Sequence, residues 1–94
     1  MSKKDILLVE DETSIVRILE LEFAHEGYTF DSAVDGSDAL IKFEENIYSL
    51  ILLDLMLPEI SGLEVCRNIR KESDVPIIML TDVAAHFESA YFRI

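Results

Sequence analysis

The sequence predicts an α/β fold, a doubly wound parallel sheet with helices on both faces. Three observations point to it. Segments of strand and helix character alternate along the chain. Leu50-Ile51-Leu52-Leu53 is an unbroken apolar run that ends in a carboxylate, Asp54. An earlier apolar run, Ile6-Leu7-Leu8-Val9, stops just as abruptly in Glu10-Asp11-Glu12. Runs of this kind suit strands buried on both faces, as in a parallel sheet. Alternation with helices then implies right-handed crossovers.

The elements follow in order. Ile6 to Val9 is the first strand. Thr13 and Ser14 are suited to cap a helix. Ile15, Ile18, Leu19 and Phe23 fall on one face of that helix, and Gly27 takes the place of a C′ stop. Tyr28 to Ala33 alternates apolar and polar, as an outer strand with one wet face does. Asp35-Gly36 turns the chain, and Ser37 caps a second helix with Leu40, Phe43 and Ile47 as its buried face. Leu50 to Leu53 is the third strand, and Pro58 closes the segment because it cannot donate to a ladder. Gly62 opens a third helix through Leu63, Cys66 and Ile69. Pro76 introduces a fourth strand, Ile77 to Leu80, ended by Thr81. In the tail, Val83, Phe87, Ala90, Tyr91 and Ile94 stand at helical spacing and predict a fourth helix over 82–94. A strand through Tyr91 to Ile94 is the alternative.

The 94 residues predict a single domain, with 50% hydrophobic residues and a mean hydropathy of +0.24. This composition suits a packed core and not a disordered chain. Nineteen acids against eight bases leave a formal charge of −11, which argues against direct nucleic-acid binding. A lone cysteine, Cys66, permits no internal disulfide and suits a reducing compartment. No run reaches membrane-spanning length, and the first apolar segment is too short for a secretion signal. The expectation is a soluble cytoplasmic protein with no membrane partner.

In a parallel sheet the carboxyl ends of the strands share one edge, where such folds bind ligands. Strand one brings Glu10 and Asp11 to that edge, strand three brings Asp54, and strand four brings Thr81. A buried carboxylate without compensation costs several kcal/mol, so something there must want negative oxygens. Oxygen-only donors in an incomplete cage suit Mg2+. Asp54 is then placed to attack phosphorus as a carboxylate nucleophile, with the Thr81 hydroxyl available to the new phosphoryl group.

The chain resembles the receiver domain of two-component response regulators, in particular the branch that contains winged-helix transcription factors. The resemblance rests on four segments in the family's order. They are Ile6-Leu7-Leu8-Val9-Glu10-Asp11-Glu12, Leu53-Asp54-Leu55-Met56-Leu57-Pro58, Ser61-Gly62-Leu63-Glu64-Val65 and Val75-Pro76-Ile77-Ile78-Met79-Leu80-Thr81. It extends from about Lys4 to Thr81 and implies a flavodoxin-like sheet of strand order 2-1-3-4. By resemblance, Asp54 is the phospho-acceptor and Asp11 a direct Mg2+ ligand. Glu10 acts on the ion through water, the Met56 backbone carbonyl is a further ligand, and Thr81 is the switch hydroxyl. The implied phosphate donor is a phosphohistidine on a sensor histidine kinase. The chain itself is then a phospho-acceptor and not an enzyme.

The family pattern breaks after Thr81. Asp82 stands where a small residue is usual, and no lysine follows Lys71 to pair with phosphate. The expectation is a receiver-like domain over 1–94, incomplete at its C-terminus, without the fifth strand, last helix or an output domain, and impaired in switching. A bare edge on strand four would then invite homo-oligomers. Two other readings compete. One is an interaction or self-assembly module with a dormant acidic site. The other is a Mg2+-dependent phosphatase of the haloacid-dehalogenase type, which wants a second acid where this chain has Met56.

Overall fold

A computed structural model describes residues 2–80 and 91–93. Its elements are β1 (Ser2–Val9), α1 (Thr13–Glu26), β2 (Phe30–Ala33), α2 (Gly36–Glu45), β3 (Asn46–Asp54), α3 (Gly62–Arg70), β4 (Ile77–Leu80) and β5 (Tyr91–Arg93). The sheet order is β2-β1-β3-β4-β5. The first four strands are parallel, in the expected order 2-1-3-4.

Successive residues of β1 serve opposite faces, as the period of two in a strand requires. Leu7 and Val9 join Ile51, Leu53, Ile77 and Met79 under α2 and α3. Ile6 and Leu8 face the other way and meet Phe23 of α1, with Leu50, Leu52 and Leu80 partly buried beside them. Among the described residues the α2/α3 face holds twelve buried core residues and the α1 face three. Among the described residues, most of the buried apolar surface therefore lies on the side that α2 and α3 cover.

Local signals set the element ends. Gly27 takes φ 84°, and its N–H and that of Tyr28 return to Ala24 and Phe23 carbonyls to close α1. The Asp35 carboxylate, not Ser37, caps α2 by accepting the Asp38 N–H at 2.8 Å. Ser61 caps α3 through the Glu64 N–H. Thr13 and Ser14 lie inside α1, and its N-cap, Glu12, makes no side-chain cap bond.

Several predicted faces rotate. On α1 the inward stripe is Val16, Leu19 and Phe23, while Ile18 is 65% exposed. On α3 Val65 is buried and Leu63 is not. Ile47 is not on α2 at all. The helix gives way directly to β3 at Asn46, and Ile47 is left half-exposed on that strand.

The C-terminal expectations change most. Tyr91–Arg93 is a strand, as the alternative reading of the tail had it, and not the end of a helix; it pairs antiparallel with β4 through Ile78↔Arg93, Met79↔Phe92 and Leu80↔Tyr91. The sheet therefore has a fifth strand, and the β4 edge is not bare at these three positions. The premise for homo-oligomers through that edge is lost there. The remainder of the predicted helix over 82–94 lies outside the described residues.

Gly62 opens α3 against the end of β3. A Cβ built on it would stand 2.2 Å from the Asp54 carbonyl oxygen and 2.9 Å from Leu55 Cα. Both neighbours are backbone, so neither can swing aside. Gly62→Ala is expected to destabilise by about 3 kcal/mol, as overpacking against rigid neighbours does, read as a lowered urea midpoint. In the same assay Ile69→Ala, at a fully buried position, should cost about 2–5 kcal/mol, and Ile18→Ala no more than about 0.5 kcal/mol.

Candidate functional site

The parallel register of β1 and β3 places Val9 beside Leu53. The next residues on each strand, Glu10-Asp11 and Asp54, therefore emerge side by side at the carboxyl edge. Their carboxylates each offer an oxygen, and these oxygens lie within 4.8 Å of one another. Glu10 and Asp54 are buried, at 5% and 8% exposure, and Asp11 is exposed. The three acids expected from two distant segments are thus in one cluster.

Backbone groups hold the cluster in place. The Glu10 N–H donates to the Ala33 carbonyl of β2 at 3.1 Å. The Glu10 carboxylate accepts the Glu12 N–H at 3.1 Å, and Asp54 Oδ1 accepts the Met56 N–H at 3.1 Å. Beyond Asp54 the chain is anchored on two sides. The Leu55 N–H donates to the Leu80 carbonyl, and the Leu55 carbonyl accepts the Gly62 N–H. The absent side chain of Gly62 lets α3 approach this closely. From the sequence, Gly62 reads only as a helix start. Its sequence signal, a glycine directly after a cap serine, is shared by many ordinary helix starts and does not reveal the contact.

The electrostatics match the geometry. The Glu10 carboxyl is pushed up to about 7, first by burial and then by the neighbouring Asp54 and Asp11 charges, against the lowering effect of the Glu12 N–H. Burial is the larger cause of this shift, and the Asp54 and Asp11 charges beside Glu10 add to it. A hard divalent cation relieves such crowding of charge, and an all-oxygen donor set suits one. Met56 sits in the loop after β3 with its side chain 71% exposed. Thr81, the fourth side chain assigned to the site, lies outside the described residues, as does Asp82.

Comparisons with known proteins agree with this arrangement. The family model for the response regulator receiver domain matches residues 6–91. The response regulator ArlR of Staphylococcus aureus is 54% identical over 76 residues, which is 81% of this chain and 35% of the relative. The chain thus spans about a third of the length of the curated relatives it matches. Among solved structures, the response regulator TrrA of Thermotoga maritima in complex with Mg2+-BeF has a TM-score of 0.78 at 42% identity, covering 95% of this chain and 76% of that one. TrrA in complex with the histidine kinase ThkA has a TM-score of 0.76 at 46% identity, covering 86% and 69%. The Vibrio cholerae chemotaxis protein CheY4 has a TM-score of 0.77 at 31% identity, covering 85% and 68%. With its parallel sheet, its acidic edge and a family match along most of its length, this chain belongs to the response regulator receiver domain family.

Proposed function

We propose that the chain accepts a phosphoryl group on Asp54 from a sensor histidine kinase, with Mg2+ held by Glu10, Asp11, Asp54 and the Met56 backbone carbonyl. The observation that carries this reading is the meeting of the Glu10, Asp11 and Asp54 carboxylates at one strand edge. The Mg2+-BeF complex and the kinase complex of TrrA support it by similarity.

The Asp54 carboxylate attacks phosphorus, the phosphorus–nitrogen bond of the donor phosphohistidine breaks, and the imidazole leaves with the bonding electron pair. The product is an acyl phosphate on Asp54. The Met56 N–H on Oδ1 orients the carboxylate for attack. Mg2+ supplies charge neutralisation for the phosphoryl oxygens. Glu10 and Asp11 hold the ion, Glu10 acting through water. Thr81, next in sequence to Leu80, supplies a hydroxyl for the transferred group. The chain acts as a phosphorylated signal carrier and not as a turnover enzyme.

Treatment with acetyl phosphate and Mg2+ should add the mass of one phosphoryl group, and Asp54→Asn should abolish the addition. A phosphoryl mass that persists in Asp54→Asn sinks the assignment.

The protonation of Glu10 gives a second test. Its carboxyl titrates near 7 in the folded chain against 4.5 unfolded. The folded state thus binds more protons between these values, and without metal its stability falls as pH rises through about 7. Mg2+ must displace that proton, so its apparent affinity should rise about tenfold from pH 6 to pH 8. Thermal melts with and without Mg2+ at the two pH values measure both effects. Glu10→Gln should flatten the metal-free slope, and an unchanged slope would show that another group carries the titration.

A further inference from the structure

The end of the sheet opposite Asp54 carries a cleft that the phospho-acceptor reading does not use. It is a cavity of about 280 Å³ among the end of α2, the start of β3 and the segment between α3 and β4. Phe43, Ile47, Tyr48 and Val75 form its apolar walls, and Glu44 and Glu72 line it with carboxylates. A groove of about 140 Å³ extends it between α2 and α3. Glu44 and Glu72 also line this groove, and Lys71 stands in it. From Asn46 to Asp54 the strand runs about 26 Å at roughly 3.3 Å per residue, so the cleft is remote from the acidic cluster.

Three features together define what fits. The larger cavity lies just below the range of about 300–1,000 Å³ typical of small-molecule sites, which is room for one long side chain and not for a cofactor. Among the described residues no cation lines the larger cavity, and neither Glu44 nor Glu72 takes part in an ion pair. Its walls include two aromatic rings. A planar cation on an aliphatic stem satisfies all three. The stem lies on the apolar wall, the plane stacks on a ring, and the fork donates to carboxylates. The exposed Ile47 at the mouth and the adjoining groove give a chain on either side of that cation a surface to lie along.

We propose that this cleft receives the arginine side chain of a basic segment on a partner protein, bridged between Glu44 and Glu72. The chain's charge of −11 favours the encounter. The proposal stands independently of phosphorylation at Asp54.

The test is a titration of the isotope-labelled chain with the capped peptide Ala-Phe-Arg-Ala, followed by amide chemical shifts, beside the same peptide with citrulline for arginine. Saturable shifts at Ile47, Tyr48 and Val75 are expected with arginine and not with citrulline. The exposed double variant Glu44→Gln/Glu72→Gln should weaken them at least about tenfold, as loss of two charge-assisted contacts implies. Asp54→Asn should leave them unchanged. Equal shifts with citrulline, shifts centred on residues 10–12 and 54, indifference to the double variant, or no saturation at millimolar peptide would each overturn the proposal.

Discussion

The structure depends on a forced meeting of like charges. Parallel pairing of β1 with β3 aligns Val9 with Leu53, and the buried apolar registers behind them leave no freedom to slip. A shift of one residue would turn every core side chain to the wrong face. Hydrophobic packing thus dictates that Glu10, Asp11 and Asp54 share one small volume. The cost appears in Glu10, whose carboxyl is driven toward neutrality first by its burial and then by the neighbouring Asp54 and Asp11 charges. A protein that maintains such a cluster is poised for whatever removes its excess charge, and a bound divalent cation does so directly.

The other end of the same strands shows the opposite solution. Burial raises the Asp31 carboxyl, but the Tyr48 hydroxyl at 2.5 Å and the Lys4 ammonium at 2.9 Å together hold it below its ordinary value. Tyr48 is pushed upward by burial and by that same carboxylate. Here the acid has its donors within the fold, and nothing further is required. Two partly enclosed acid sites on one sheet are therefore distinguished by compensation. Asp31 is satisfied by its own chain, whereas Glu10 and its neighbours crowd one another.

Much of this was legible from residue order. Ile6 to Val9 ending in Glu10-Asp11, and Leu50 to Leu53 ending in Asp54, announce strands whose ends carry charge, and parallel topology requires those ends to meet. Gly27 as a stop was equally plain, since few residues accept φ near 84°. Helix faces were less legible. Ile18 has the hydropathy of a core residue, but α1 is the only described helix on its side of the sheet, and Val16 takes the inward position. The α2–β3 junction hid Ile47, because a helix passing into a strand without a loop leaves no turn residues to mark the change. Tyr48 gave no signal of its role, since its partner Asp31, and the Lys4 that pairs with Asp31, lie on two other strands.

The loop after Asp54 shows how the site is tied to the rest of the fold. Leu55 is held by β4 through the Leu80 carbonyl and by α3 through the Gly62 N–H. Glu59 adopts φ 65°, a left-handed conformation that costs a residue with a Cβ about 1–2 kcal/mol. That cost is sustained because the chain must turn from the end of β3 into α3 within seven residues, with its first helical residue pressed on the Asp54 carbonyl. The Asp54 backbone thus has little slack toward α3, and the next residue is bonded to the end of β4. Backbone contacts thus tie the strand end that carries Asp54 both to β4 and to the first turn of α3.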